Sequence, residues 1–206
     1  KTVLSEEQLL KLLNELHRRG KNERACLVAL AAYSGRRKAE LLRFKVSDFD
    51  DCNVVYGSLY RTPRQIKTKG RGTNGKMLTC YTLAKPFRPW FECWMEQREK
   101  NGIESEWLFP DPSNPKESRT IAAISGWTEE FSKILGTDFY YHALRHKFVS
   151  YLSTSGIPDN VIQEIVGWDS PEMVGVYNDS DISDEIGKYF QNGDIVAPDK
   201  KTLSDL

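Results

Sequence analysis

Two side chains in the last third of the sequence, His142 and Arg145, have the types and the spacing to bind an anion together. The pattern of residues 141–154 predicts a helix, and positions three apart on a helix are neighbours on its surface. We expect both side chains to lie opposite the apolar stripe of Leu144 and Phe148 and to face one ligand. Alone, such a pair is more often an ordinary surface pair, so its interpretation depends on the rest of the chain.

A metal site is the alternative chemistry for this helix, because His142 and His146 stand one turn apart. No glutamate of an H-E-x-x-H motif lies between them, and His17 is the only other histidine. Neither a C-x-x-C pair nor a regular framework is formed by the four cysteines, Cys26, Cys52, Cys80 and Cys93. We therefore expect reduced thiols, no bound metal and no other cofactor.

Positive charge is concentrated in the first half of the chain, although the whole chain has a net charge of zero. Residues 1–100 have a net charge of +10 and residues 101–206 a net charge of −10. Such clusters suit the phosphate backbone of a nucleic acid, and a solvated charged surface explains them equally well. The cations that we expect at a DNA surface are Arg36, Lys38, Arg43, Lys67, Arg71 and Lys76.

The first elements to position these residues are helices. A capping box at residues 5–8 predicts a helix that starts near Glu6 and stops at Gly20. The almost uninterrupted apolar run 25–33 predicts a buried central helix closed by Gly35, and a short basic helix follows it.

The pattern changes to β-type runs between residues 53 and 83, with a Gly-rich hairpin loop at 70–75. Helices are predicted again at 86–100 and 122–135. The expected fold class is therefore α+β and mainly α-helical, with a small antiparallel β-sheet near the N-terminal third.

The last third contains predicted helices at 141–154 and 158–167, followed by two shorter capped segments. Ser170 begins the first of these segments and Ser183 the second. Tyr177 lies within the first, which can move relative to the core.

Three stretches of this last third resemble the signature motifs of the tyrosine recombinases. Residues 142–152 resemble the box H-x-L-R-H-x-F-A-T-x-L, and residues 162–170 resemble Q-x-x-L-G-H-x-S. Trp168 occupies the place of the histidine in the second box, where a tryptophan is known in the family. Tyr177 follows Trp168 by nine residues, at the spacing of the family's nucleophile.

The first half carries two further parts of the resemblance. Residues 33–41 resemble T-G-x-R-x-S-E-L in a register that selects Arg37 rather than Arg36. A hairpin lysine belongs between the boxes, and Lys69 lies in the expected place, with Lys67 as the alternative. The resemblance runs from about residue 5 to residue 190 with its motifs in the right order.

This resemblance implies an enzyme that cuts and rejoins DNA through a 3′-phosphotyrosine. Breaking a phosphodiester without a metal needs an in-line nucleophile, cations on the non-bridging oxygens and a proton for the leaving 5′ oxygen. The catalytic residues that the resemblance implies are Arg37, Lys69, His142, Arg145, Trp168 and Tyr177.

The implied roles follow the chemistry of each group. Arg37 and Arg145 offer bidentate forks to the phosphate. His142 is the general base or hydrogen-bond partner of the Tyr177 phenol, whose ordinary pKa is near ~10. Trp168 has only its indole N–H, so it braces the phosphate or packs beside the tyrosine.

The resemblance also implies partners and organisation. The partner is double-stranded DNA with specific sites, bound by a homotetramer in which the segment 182–206 docks on a neighbouring subunit. We expect residues 1–206 to be a single catalytic domain, without the N-terminal helical domain that completes a DNA clamp in the family. No apolar run approaches the ~18 residues of a membrane span and no signal peptide is apparent, so we expect a cytoplasmic, DNA-associated protein.

Three other functions remain open from the sequence. A type IB topoisomerase shares the fold and the tyrosine chemistry, although the H-x-L-R-H box favours a recombinase. A non-catalytic DNA-binding regulator on the same fold is the second. A helical protein-interaction domain, the third, accounts for neither the charge asymmetry nor the ordered motifs.

Overall fold

A computed structural model describes residues 3–67, 77–167 and 185–196 of the chain. Within these ranges lie eight α-helices and seven short strands. The helices are α1 Glu6–Arg18, α2 Asn22–Ser34, α3 Lys38–Leu41, α4 Ala84–Lys100, α5 Ile121–Gly126, α6 Thr128–Leu135, α7 Tyr141–Thr154 and α8 Asp159–Val166. The strands are β1 Val54–Val55, β2 Leu59–Arg61, β3 Ile66–Lys67, β4 Met77–Leu78, β5 Tyr81–Leu83, β6 Phe190–Gln191 and β7 Asp194–Ile195. This confirms the predicted fold class.

The helix α2 is the centre of the fold. Every residue from Ala25 to Ser34 is buried, and the helix packs against α1, α4 and α7. A helix that is apolar all round is stable only when neighbours cover all of its faces. It ends at Gly35, which adopts the left-handed conformation with φ 66°.

The helix α1 begins as its sequence predicts. The Ser5 hydroxyl accepts from the Gln8 amide at 3.1 Å, and the Gln8 side chain accepts from the Ser5 amide at 2.9 Å. This reciprocal pair satisfies two backbone N–H groups that have no partner inside the helix.

The strands of the first half form two small antiparallel sheets. The first has the order β1-β2-β5, with Val55 opposite Leu59 and Tyr60 opposite Thr82. The second is the hairpin β3–β4, in which Lys67 stands opposite Met77. Residues 77–83, in the last part of the predicted β-type region, are thus divided between the two sheets.

The predicted helix 122–135 is also divided, because Trp127 separates α5 from α6. The Trp127 ring is buried between the guanidinium groups of Arg24 and Arg119, 4.9 and 5.1 Å from its centroid. Next to it, the Thr128 hydroxyl donates to the Ser125 carbonyl at 2.8 Å.

Residues 185–196 end in the hairpin β6–β7, which the sequence pattern does not predict. The Gly193 amide donates to the Ser58 hydroxyl at 2.8 Å, and Ile186, Tyr189 and Phe190 are buried. This part of the segment 182–206 therefore packs on the β1–β2 sheet of its own chain. The expected contact of that segment with a neighbouring subunit stays a prediction.

Within the described ranges, no helix combines the length and the apolarity that crossing a membrane requires.

Candidate active site

The site is built around the loop Gly35–Arg37, which joins the buried helix α2 to the short helix α3. A Cβ on Gly35 would lie 2.5 Å from the Cδ1 atom of Phe148, which is part of α7. Only glycine therefore allows the end of α2 to approach α7 this closely while also adopting a positive φ. This approach brings the loop with the two arginines next to the helix that carries His142 and Arg145.

Arg145 bridges the two elements directly. Its Nη1 atom donates to the Gly35 carbonyl oxygen at 2.7 Å, and the residue is 3% exposed. This corrects the expectation that Arg145 lies opposite the core stripe: it shares the buried side of α7 with Leu144 and Phe148. A buried guanidinium is tolerated on that side because a main-chain carbonyl accepts from it.

The electrostatic surroundings of Arg145 favour an anion. Burial, followed by the positive charges of Arg36 and Arg37, lowers the pKa of Arg145 to about 10, and the carboxylate of Glu40 opposes the shift. Its guanidinium stays charged at neutral pH, at a cost that the surrounding positive charge increases. An anion placed beside these arginines would reduce that cost.

Arg37 is the solvent-facing arginine of this loop. Its side chain is exposed, whereas its amide donates to the Glu40 Oε2 atom at 2.6 Å. Glu40 is itself buried and fixes the start of α3. The position selected by the sequence register is thus the one whose guanidinium is accessible. The sequence motifs alone assign no role to Glu40, although its place in the first box is a signal.

Arg36 differs from the expectation of a DNA contact. It is 2% exposed, and its Nη2 atom donates to the carbonyl oxygens of Ile165 and Val166 at the end of α8. Its Nη1 atom lies 3.6 Å from the Sγ atom of Cys80. Arg36 therefore makes its hydrogen bonds in the protein interior and does not lie at the surface.

Arg43 holds the β3–β4 hairpin. Its Nη1 atom donates to the Lys67 carbonyl oxygen at 2.5 Å, while the Lys67 side chain is exposed. Arg64 donates to the Arg43 carbonyl oxygen at 2.5 Å and to the buried carboxylate of Asp48 at 2.9 Å. Burial raises the pKa of Asp48. This network fixes the strand that leads towards Lys69, and the sequence pattern does not reveal it.

Lys38 reaches the neighbouring helix α5. Its Nζ atom lies 3.2 Å from the Ser125 hydroxyl and 6.0 Å from the centroid of the Tyr141 ring. Its expected contact with DNA stays a prediction.

His142 is exposed on α7, one turn before Arg145. Its ring lies edge-on to that of His146, with the centroids 4.5 Å apart. Both residues line a pocket with Tyr140 and Asp138. The described residues contain no group of three or more His, Cys, Asp or Glu side chains that could hold a metal ion.

Five of the residues named from the sequence lie outside the described residues. These are the general-acid candidate, two tentative DNA contacts, the residue in the histidine position and the nucleophile candidate: Lys69, Arg71, Lys76, Trp168 and Tyr177.

The fold and the site can be compared with known proteins. The crystal structure of the XerA recombinase superposes with a TM-score of 0.63 at 20% identity, over 91% of this chain and 65% of that one. The XerH site-specific recombinase, in a post-cleavage complex with a palindromic difH substrate, gives a TM-score of 0.61 at 22% identity, over 91% of this chain and 50% of that one. At these identities the comparison shows a shared fold.

Sequence comparison gives the family. Residues 2–183 match the model of the phage integrase family, so the chain belongs to the phage integrase family. The integrase of Salmonella phage P22 is 40% identical over 90 residues, which are 39% of this chain and 23% of that protein. The chain thus spans less than a quarter of that relative and less than two thirds of the two recombinases.

Proposed function

We propose that this chain is the catalytic domain of a tyrosine recombinase that cuts and rejoins double-stranded DNA at specific sites. The observation that carries the proposal is the hydrogen bond of Arg145 to the Gly35 carbonyl, because it joins the two arginine motifs. Membership of the phage integrase family supports the same function.

Phosphate binding is assigned to Arg37 and Arg145. Arg37 is exposed, and the pKa of the buried Arg145 is lowered by burial and by the charges of Arg36 and Arg37. The site therefore has an excess of positive charge. As the pentavalent phosphorus forms, charge grows on its non-bridging oxygens, and fixed guanidinium donors stabilise it. No ATP is needed, since the phosphotyrosine ester conserves the energy of the phosphodiester.

The covalent step is assigned to Tyr177. Its phenol oxygen attacks the phosphorus and the bond from phosphorus to O5′ breaks. His142 accepts the phenol proton, and Lys69 gives a proton to the leaving oxygen. Trp168 donates its indole N–H to the phosphate or packs beside the tyrosine. In the reverse step a 5′-hydroxyl attacks the phosphotyrosine, which rejoins the strand or exchanges it for another.

The partners follow from this reaction. Exchange of strands between two DNA sites needs four cleavages, so we propose a homotetramer on two aligned sites. The XerH structure is described as a complex with its difH substrate, in agreement with a DNA partner for this fold. We place the protein in the cytoplasm, associated with DNA, with neither a metal nor another cofactor.

Covalent capture tests the proposal even though the target sequence is unknown. The chain is incubated with a library of duplexes that are randomised in sequence and nicked next to each potential cleavage position, so that the leaving strand diffuses away. Protein-linked DNA is recovered and sequenced, and the modified peptide is mapped. We expect a consensus sequence attached to Tyr177 through a 3′-phosphate.

Other outcomes would contradict the proposal. Sequence-specific binding without any covalent product would indicate the non-catalytic regulator. Capture without a consensus, together with relaxation of supercoiled plasmid, would indicate a topoisomerase.

A further inference from the structure

Arg36 is a buried cation whose hydrogen bonds go to main-chain carbonyls. It is 2% exposed, and its Nη2 atom donates hydrogen bonds to the carbonyl oxygens of Ile165 and Val166. It stands immediately before the exposed Arg37 in sequence. Burying a charge is costly unless the protein gives it specific partners, so this contact has to be maintained for the fold to be stable.

The chemistry of a helix end explains these partners. The last carbonyl groups of α8 accept no hydrogen bond from within the helix and lie at the negative end of its dipole. A single nitrogen of the guanidinium, Nη2, donates to two of them, and the planar group holds its N–H bonds in one fixed plane, which a freely rotating lysine ammonium does not do. Arg36 therefore fixes both the position and the direction of the chain where α8 ends at Gly167.

The same guanidinium also contacts the chain that follows strand β4. Its Nη1 atom lies 3.6 Å from the Cys80 Sγ atom. At Gly167, where φ is 72°, an added Cβ would lie 3.3 Å from this Nη1 atom and 2.5 Å from the Leu78 Cδ1 atom. Thus the loop of the first box, the end of α8 and the chain after the hairpin meet at one side chain.

We propose that Arg36 is a positioning residue for strand cleavage, which sets the end of α8 relative to the phosphate-binding arginines. The sequence continues from α8 directly into Trp168 and then Tyr177, so a shift of that helix end changes the geometry of the in-line attack. Arg145 has an anchor of its own that does not involve α8, because it donates to the Gly35 carbonyl. This inference rests on the proposed function.

The test compares two buried arginines with the same kind of partners. Arg98 is 5% exposed and donates to the carbonyl oxygens of Ser105, Trp107 and Leu108 at 2.7, 2.6 and 3.2 Å. These carbonyls belong to the loop after α4 rather than to α8. Arg36→Met and Arg98→Met both remove a buried guanidinium, and only the first removes the contact with α8.

Three quantities are measured on each variant and on the unchanged chain. They are the single-turnover rate of adduct formation at saturating DNA, the affinity for uncleaved DNA, and hydrogen exchange across residues 159–167 without DNA. The DNA is a captured substrate from the covalent selection. The exchange reports on α8 even if no cleavage occurs, through amides such as that of Gly167, which donates to the Gln163 carbonyl at 2.7 Å.

We expect Arg36→Met to lower the adduct rate of the folded protein by ~10- to 10²-fold, the scale of a small misplacement of reacting groups, with unchanged DNA affinity. Exchange at the end of α8 should rise in this variant alone. Arg98→Met should lose stability but keep the adduct rate per folded molecule.

Two results overturn the inference. One is an unchanged adduct rate in folded Arg36→Met. The other is a weaker DNA affinity with a smaller dependence on salt, since that marks a lost phosphate contact. If Arg36→Met does not fold, Arg36→Lys decides in the same way, because it keeps the charge and loses the planar guanidinium. If the unchanged chain forms no adduct, the proposed function fails and a role of Arg36 in cleavage fails with it, whereas the exchange at α8 still decides whether Arg36 holds that helix end.

Discussion

The guanidinium of Arg145 donates to the carbonyl oxygen of Gly35, which lies 110 positions earlier in the chain, at 2.7 Å. The second arginine motif is therefore held by the backbone of the first. The contact depends on the close approach of α2 and α7 at Gly35, where Phe148 leaves no space for a side chain.

Gly35→Ala should damage stability and cleavage together. The new Cβ would meet Phe148 at 2.5 Å and would also strain a residue with φ 66°. We expect a loss of about 2–4 kcal/mol in the free energy of unfolding. Urea denaturation measures it, and adduct formation by the folded fraction should also fall.

Gly136→Ala is the matched control, because Gly136 ends α6 with φ 70° and nothing lies within 4 Å of its added Cβ. It should cost about 1 kcal/mol and leave cleavage intact. Equal effects of the two substitutions would show that the contact with Phe148 is unimportant.

Arg37→Ala and Arg145→Lys should each reduce the rate of DNA cleavage by at least ~10²-fold, as expected when a donor to the transition-state charge is lost. Lysine at 145 keeps the charge and limits the loss of stability. Arg18→Ala, on an exposed ion pair with Glu15, should cleave normally. Near-normal cleavage by Arg37→Ala would show that the register of the first box is wrong.

Tyr177→Phe should abolish the covalent DNA adduct and preserve both the fold and noncovalent DNA binding, because only the attacking oxygen is lost. Gel electrophoresis under denaturing conditions detects the adduct. Tyr189 is buried beside the β6–β7 hairpin, so Tyr189→Phe should still form it. An adduct mapped to Tyr189 would refute the assignment of Tyr177.

Lys69→Ala should cleave ordinary DNA about 10²–10⁴-fold more slowly than the unchanged chain, because the leaving 5′ oxygen needs a proton. Replacing the bridging 5′ oxygen with sulfur gives a leaving group that needs none. This DNA should rescue Lys69→Ala and should not rescue Arg145→Lys. Rescue confined to Lys67→Ala would transfer the role of general acid to Lys67.

Cleavage should persist in excess chelator, because the proposed mechanism stabilises the phosphate with arginines. Among the described residues no cluster of three or more potential ligands offers a metal site. The rate of adduct formation is compared with and without EDTA. A loss of activity that magnesium restores would contradict the mechanism.

The local parts of this fold could be predicted from the sequence. The apolar run before Gly35 predicts α2, and the pair Ser5 and Gln8 predicts the start of α1, because caps and apolar faces are encoded by neighbouring residues. The hairpin β6–β7 could not be found in this way. Its strands have two residues each, and its anchor, Ser58, is 135 positions from Gly193.

The arginines are the harder part of the site. The basic clusters predict Arg36 as a surface cation, since an arginine in such a cluster is usually solvated. It is instead buried and donates to main-chain carbonyls at the end of α8. Arg43 is half-buried and donates to the Lys67 carbonyl, and its expected contact with DNA stays a prediction. The prediction for Arg145 is wrong about the side of α7 for the same reason: its partner at Gly35 belongs to another part of the chain. Such partners are created only by the tertiary fold.

The burial of α2 also bears on how the protein should lose activity when heated. The loop with Arg37 begins where this helix ends, and the helix contacts α1, α4 and α7 on different sides. Melting α2 would expose much of the apolar interior. Local unfolding of the anion site should therefore cost almost as much free energy as unfolding of the whole protein. Loss of catalytic competence and global denaturation should therefore follow one cooperative transition with a common midpoint.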